Sequence, residues 1–151
     1  MDANLVAALV AVAKSPSKFA NAQAIAAEAL ADAGEPPYPK NGCAATLSAL
    51  LKLAGIPVPM TLGAGRLAHI LGGQINSRGW AHIPVGQQRP GDVGVTYDEG
   101  GNPGADHIYL VIERVDDDVM IIADNQAKAL HKRAASGKPH KTPTEYFLRA
   151  T

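Results

Sequence analysis

The chain is poor in cysteine, in aromatic residues and in excess charge. Cys43 is the only cysteine among 151 residues, which excludes an internal disulfide and a cysteine-rich metal site. One Trp, two Phe and four Tyr are too few for the stacking surface of a single-stranded nucleic-acid binder. Fourteen basic residues balance fourteen acidic ones, so no net charge attracts nucleic acid or anionic lipid. We expect neither kind of partner.

Long hydrophobic runs are also missing. The N-terminal stretch NLVAALVAVA is too short to span a bilayer, and Asp2 stands where a signal peptide carries positive charge. The five histidines show neither an HExxH pattern nor a close-spaced pair with a carboxylate, the usual signs of a metal site. These features predict a chain with no membrane span, no signal peptide and no metal.

The hydrophobic and charged fractions, 46% and 19%, are those of an ordinary folded domain. The length suits a single domain over residues 1–151, with a core from about residue 18. Periodicity and Gly/Pro breaks predict helices over residues 3–14, 18–33 and 43–54 and a short one near 65–71.

Strand-like, β-branched runs occupy the second half of the chain, at residues 92–97, 107–115 and 119–124, and EYFLRA near the end is a closing strand. DEGGNPGAD (98–106) connects the first two strands, and residues 116–118 form a tight turn. Helices followed by a strand meander predict an α+β fold, with N-terminal helices packed on an antiparallel β-sheet. The segment 127–141 carries five Lys/Arg, two His and no acid. This segment predicts either a solvated face or a surface that binds an anionic cell-wall polymer.

Cys43 stands at the start of the third predicted helix, with Asn41 or Gly42 as its cap. It is four residues before Leu47 and shares the apolar stripe that must face the sheet. Two interpretations follow: a small buried filler, or a nucleophile, since a helix N-terminus and a nearby imidazole both stabilise a thiolate.

His107 is the best-placed partner for that thiol, because it opens a strand after a Gly/Pro loop, at a sheet end where a cleft can form. His69 and His82 lie in a helix and a loop, and His131 and His140 belong to the basic segment. None of these four is placed as well.

A third polar group should orient the imidazole. If residues 116–118 form a three-residue turn, Asn125 faces Tyr109 on the His107 side of the sheet and lies diagonal to His107. A two-residue turn would shift the register by one and favour Asp124. We prefer Asn125.

These segments resemble the NlpC/P60 and CHAP group of papain-like cysteine peptidases and amidases over about residues 21–126. The similarity lies in the order of PYP, NGCAA, LLKLAGIPVP, RPGDVGV, DHIYLVI and IADNQ. It implies a papain-like NlpC/P60 fold with Cys43 as nucleophile, His107 as general base, Asn125 as orienting group and Tyr38 beside the active site. The chain departs from the common family pattern with Gly-Cys-Ala-Ala-Thr at the nucleophile and Asp-His-Ile at the histidine.

The implied activity is hydrolysis of amide bonds in peptidoglycan peptides through a thioacyl-enzyme, without a cofactor. Tyr38 and Trp80 are candidate substrate-binding residues, with packing as the alternative for each. Without a signal peptide, the protein would reach the cell wall by a holin, a virion or a secretion system, and a secreted effector would have an immunity or inhibitor protein as partner. The alternative function is a catalytically inactive module on the same fold that binds cell-wall polymer or a protein.

Overall fold

The computed structural model describes residues 1–97 and 105–151, and its helices precede its strands along the chain. A short 3₁₀ helix, Asp2–Leu5, leads into α1 (Val6–Lys14), α2 (Pro16–Asp32), α3 (Cys43–Leu53) and α4 (Ala64–Gly72). The strands are β1 (Ala81–Ile83), β2 (Val93–Tyr97), β3 (Ala105–Arg114), β4 (Val119–Ala123), β5 (His131–Ala134) and β6 (Thr144–Arg149). The predicted α+β class is confirmed. Most of the predicted connection between β2 and β3, residues 98–104, lies outside the described residues.

The strands form one antiparallel sheet in the order β1-β6-β2-β3-β4-β5. From β2 to β4 each strand neighbours the next in sequence, which is the predicted meander. Strand β5 extends it beside β4, whereas β6 returns to pair between β1 and β2. The short strands β1 and β5 were not predicted. In β5, the sequence HKRA has no β-branched residue, and only its pairing with β4 makes it a strand.

Local sequence signals set the ends of the helices that carry the site. Ser15 caps α2 by accepting a hydrogen bond from the Lys18 amide at 3.4 Å, and Pro16 begins the helix with its fixed φ. Gly55, with a φ of +94°, ends α3. The cap of α3 is Gly42, one of the two residues that the sequence indicated.

Helix α3 is the central element of the core. All its residues from Cys43 to Leu51 are buried, because α2 covers one side and β3 the other. Leu47 and Leu50 share the main core with Ile108 of β3. Helix α1 precedes the predicted core boundary at residue 18, yet its Leu9 is fully buried in the same core. A helix buried on nearly every side gives Cys43 a fixed position.

The pairing of β3 with β4 contains one β-bulge. Val115 donates its amide to the Val119 carbonyl, so residues 116–118 form the predicted three-residue turn. Further along, Glu113 pairs with Ile121 but Val111 pairs with Ile122. Ile112 is therefore an extra residue in β3, and beyond it the register is shifted by one.

Candidate active site

The thiol of Cys43 lies in the first turn of α3 and is nearly covered, with 8% of the residue exposed. The helix cap, Gly42, has no side chain to accept hydrogen bonds from the first-turn amides. These amides therefore stay available at the helix start, where the positive end of the helix dipole favours negative charge.

Tyr38 packs directly on the Gly42 backbone. A Cβ atom at Gly42 would lie 2.9 Å from Cε2 of the tyrosine ring, so only glycine fits beneath it. The Thr46 hydroxyl donates to the Gly42 carbonyl at 2.7 Å, and it therefore accepts the Tyr38 hydroxyl at 3.0 Å. The Tyr38 hydroxyl thus donates its one proton to Thr46 and stabilises the start of α3. Tyr38 is not among the residues that line the cleft.

His107 connects the thiol to a buried carboxylate. Its Nε2 atom lies 2.9 Å from Oδ2 of Asp124, whose side chain is fully buried. The Cys43 thiol is the other side chain whose interaction with the ring raises the pKa of His107. Since Nε2 donates to the carboxylate, Nδ1 is the ring atom that can exchange a proton with the thiol. Cys43, His107 and Asp124 thus follow one another as thiol, imidazole and carboxylate, the order that nucleophilic catalysis by a thiol requires.

The electrostatics of this line favour a charged imidazole. Burial lowers the pKa of His107, but the hydrogen bonds to Asp124 and Cys43 outweigh it, and the net result is a pKa raised to about 8. Burial likewise opposes ionisation of Asp124, yet hydrogen bonds from His107 and His131 hold the pKa of its carboxyl well below the usual range. At neutral pH the pair is therefore imidazolium and carboxylate, the state that stabilises a neighbouring thiolate.

The structure brings Asp124, not the preferred Asn125, to His107. The bulge at Ile112 is the reason: continued one residue past β4, the shifted register sets Asp124 opposite Tyr109. The Asn125 side chain instead donates from Nδ2 to the Pro39 carbonyl at 2.7 Å. The predicted turn was right, but the register inferred from it for Asn125 was wrong.

Asp124 has further partners that the sequence did not indicate. His131 of β5 lies with Nε2 at 2.8 Å from Oδ1 of Asp124, and the Gln126 amide donates to the same oxygen, also at 2.8 Å. Gln23 of α2 anchors the loop by donating to the Asp124 and Ala127 carbonyls. The sequence assigned His131 to the basic segment and not to the site, because β5 was not predicted and the position of this residue beside Asp124 depends on that strand.

A cleft of about 300 Å³ opens beside the thiol. Its lining residues come from the end of α2, the turn before α3, the start of α4 and the start of β3: Leu30, Glu35, Asn41, Cys43, Leu62, Ala64 and Asp106. Two of them are acidic, and none of the described lining residues is basic. Asp106 accepts hydrogen bonds from the Thr96 and Thr142 hydroxyls, which ties its strand to both neighbouring segments.

No family model, curated protein or solved structure matches this chain.

Trp80 lies in the core and not in the cleft. Only 2% of the residue is exposed, and its Nε1 donates to Oδ2 of Asp2 at 2.9 Å. Arg78 donates to both oxygens of the same carboxylate at 2.7 Å. The structure therefore shows the packing alternative for Trp80. Its hydrogen bond to Asp2 holds the N-terminus against the segment before β1.

Residues 1–97 and 105–151 contain neither a metal-binding group of side chains nor a helix that could cross a membrane. Within these ranges no three His, Cys, Asp or Glu side chains are grouped so that they could hold a metal ion. Over the same ranges, the helices are too short or too polar to cross a membrane.

Proposed function

We propose that this protein is a cysteine hydrolase that cleaves amide bonds in peptidoglycan peptides. The observation that carries the proposal is the line from Cys43 through His107 to Asp124, with the thiol at an uncapped helix start beside an open cleft. A structural cysteine needs neither a hydrogen-bonded imidazole nor a buried carboxylate behind it. The peptidoglycan substrate rests on the resemblance to the NlpC/P60 and CHAP group.

In this mechanism the Cys43 proton stands on Nδ1 of His107 before the reaction begins, as a thiolate–imidazolium pair, and the thiolate attacks the carbonyl carbon of the scissile amide. The imidazolium then gives its proton to the leaving amine, and a thioacyl-enzyme remains. A water molecule, deprotonated by His107, attacks the thioester carbonyl and releases the acid and the thiol. Asp124 keeps the ring oriented and stabilises its charge throughout, and no cofactor takes part.

The oxyanion formed at the attacked carbonyl needs hydrogen-bond donors that are already in place. The Cys43 amide is the first candidate, because Gly42 offers no side chain to cap it. Tyr38 supports this arrangement indirectly, since it packs on Gly42 and gives its own proton to Thr46. Substitution of Tyr38 should therefore disturb the helix start and not remove a direct substrate contact.

The acidic lining of the cleft favours substrates with a positive group near the scissile bond. Glu35 and Asp106 lie on its walls, and a peptide carrying a free amino group would be attracted to them. The protein would act on the cell wall after release by a holin, a virion or a secretion system. A secreted effector of this kind would require an immunity or inhibitor protein that covers the cleft.

The test is digestion of purified peptidoglycan sacculi by the wild type and by Cys43→Ala, with mass spectrometry of the soluble products. We expect new peptide fragments from the wild type alone, and their masses would identify the bond. Ser48→Ala, a buried change in the same helix, is the control and should retain the activity.

The inactive-module alternative predicts a different set of results. Neither protein would release fragments, and iodoacetamide would not label Cys43 at neutral pH. If iodoacetamide labels Cys43 but the sacculi stay intact, Cys43 is a reactive nucleophile and the assignment of peptidoglycan as its substrate is wrong.

A further inference from the structure

A second cavity lies on the other side of the Asp124 cluster from the Cys43 cleft. It has a volume of about 340 Å³, at the lower end of the range for small-ligand sites. Its lining combines β5 with the turn that follows it and includes four cationic side chains and one imidazole: Lys132, Arg133, Lys138, Lys141 and His131. None of its described lining residues is acidic. The basic segment noticed in the sequence thus folds around a concave surface.

The positive charge of this cavity is not neutralised by the described part of the chain. No ion pair links its three lysines or Arg133 to a carboxylate within residues 1–97 and 105–151. The side-chain ammonium group of Lys141 donates to the neutral amide oxygen of Gln126, at 2.9 Å. A third cavity, near Arg114 and Arg149, differs in this respect, because those two side chains pair with Asp117 and Asp92.

Arg133 is the one buried cation among the described residues that line this cavity. Only 6% of the residue is exposed, and its described contacts are the Thr142 carbonyl at 2.8 Å and the face of the Tyr109 ring at 5.1 Å. Its buried Nε has no partner in the described residues. A buried guanidinium without a carboxylate is costly unless an anion compensates its charge nearby.

The turn that carries two of the lysines is held in place by hydrogen bonds. The Ser136 amide and hydroxyl both donate to Asp118, at 2.7 and 2.9 Å. The Gly137 amide donates to Ala134, and the Lys141 amide donates to Gly137. A turn fixed in this way presents its cations without the entropic cost of ordering a loop.

The cavity also shares two residues with the candidate active site. His131 lines the cavity and bonds Oδ1 of Asp124 through its Nε2. Gln126 lines it as well, and its amide donates to the same oxygen. A ligand that contacts His131 in the cavity would therefore be separated only by that imidazole ring from the Asp124 carboxylate, which orients His107.

We propose that this basic cavity binds a phosphate-type oxyanion, and that the bound anion contacts His131, the imidazole that holds Asp124. Four cations and an imidazole exceed the charge that a single carboxylate can neutralise. Phosphoryl oxygens carry more charge and accept several hydrogen bonds from lysine and arginine at once. The anion would act on the hydrolase site through His131 and Asp124, so the cavity is a place for regulation or for a distant part of a wall polymer.

The experiment is an NMR titration of the histidine ring signals near neutral pH at constant ionic strength. Inorganic phosphate is the first probe, added up to about 50 mM with chloride in compensation, and glycerol phosphate and acetate are the second and third. We expect saturable shifts of the His131 signals and smaller shifts of the His107 signals with phosphate. A saturable response to glycerol phosphate as well would identify an esterified phosphate as a possible source, whereas a response to inorganic phosphate alone would identify the free ion.

Variants separate this site from general screening of charge. Lys138→Gln/Lys141→Gln should weaken phosphate binding at least tenfold, while Lys52→Gln, an exposed lysine at the end of α3, should change it less than twofold. His131→Gln should keep phosphate binding within about fivefold and abolish the shift of the His107 signals. Thermal unfolding of each variant shows whether it is folded.

Linear, unsaturable shifts, or equal binding by the double variant and the wild type, would overturn the proposal. If acetate bound as tightly as phosphate, the assignment of a phosphate-type oxyanion as the ligand would be wrong. Titration of Cys43→Ala gives the same readout without any hydrolysis, so a failure of the proposed function would leave this test intact.

Discussion

At the scale of single residues, the buried Asp124 carboxylate fixes the positions of two imidazoles. Its three donors are Nε2 of His107, Nε2 of His131 and the Gln126 amide, all within 2.9 Å. Because three donors surround a carboxylate that water cannot reach, its negative charge is stable and its orientation is fixed. The neighbouring Asn125 points away toward the Pro39 carbonyl.

Asp124→Asn therefore tests the orienting group directly. The amide carries no charge, so we expect the pKa of His107 to fall below the wild-type value of about 8. Hydrolysis should fall at least about a hundredfold, the scale on which a misplaced base acts. NMR titration of the His107 ring gives the pKa, and peptide release from sacculi gives the rate.

Asn125→Ala is the matched control, because it changes the adjacent residue in the same loop. It should leave the His107 pKa unchanged and reduce the rate by only a few fold. The assignment would be wrong if Asn125→Ala lost more activity than Asp124→Asn while both proteins stayed folded.

How far the sequence could predict these residues depends on what each one needs. Cys43 and His107 could be located because they are the first residue of α3 and the third residue of β3, and the beginning of an element has a local signal in glycine and proline. Asp124 could not be chosen over Asn125, because the choice depends on a bulge at Ile112. Nothing in the run HIYLVIERV marks that residue, since the bulge arises from pairing with another strand.

At the scale of elements, the start of α3 depends on a glycine that supports an aromatic ring. Gly42→Ala would place a methyl group 2.9 Å from the Tyr38 ring and 3.0 Å from the Pro39 carbonyl oxygen. We expect the ring to move and its hydrogen bond to Thr46 to break, at a cost of about 1–3 kcal/mol of stability. Hydrolysis should fall with it, because the first-turn amides shift. Thermal or denaturant unfolding and peptide release measure the two effects.

Gly63→Ala is the control for this change, because Gly63 also caps a helix, α4. A Cβ there would meet only the Cβ of Arg66, at 3.8 Å. Little change in stability or rate is expected. Equal losses in the two variants would mean that loss of a cap glycine, and not the Tyr38 contact, causes the effect.

Trp80 lies in the segment before β1 and should affect stability alone. Trp80→Phe removes the hydrogen bond to Asp2 but keeps most of the buried ring, so we expect a loss of about 1–2 kcal/mol. The KM for soluble peptide substrates should not change. A raised KM with unchanged stability would restore Trp80 as a substrate-binding residue.

The elements that the sequence did not predict are the two edge strands. Strand β1 has three residues and β5 has four, which is too short for alternation to appear. Their conformations come from pairing with β6 and β4. His131 was missed for this reason, since its position is a consequence of the β4–β5 register.

At the scale of the whole molecule, the order of helices and strands was sufficient to predict the α+β class. The apolar stripe of α3 predicted that this helix would face the sheet, because a helix must bury such a stripe. The return of β6 between β1 and β2 could not be predicted, because many strand orders satisfy the same pattern of buried residues.

The ionisation of the site should also appear in the stability of the whole molecule. His107 has a folded pKa raised from 6.5 to about 8, so folding favours its protonated form. That contribution is complete below about pH 6.5, is lost as pH rises through 8, and amounts to about 2 kcal/mol. Asp124 acts in the opposite direction: its lowered pKa gives a contribution that is present above about pH 4 and is lost in acid. Denaturant unfolding should therefore show the highest stability between about pH 5 and 6.5.

Cys43→Ala separates the contribution of the thiol from that of the carboxylate. The variant loses one of the hydrogen bonds that raise the His107 pKa, so the loss of stability between pH 6.5 and 8 should become smaller. The acid side should change little, since His107 still donates to Asp124. If the alkaline loss were the same in both proteins, the thiol would not interact with the imidazole. Cys43 would then be a buried filler, and the line of three side chains would lack its nucleophile.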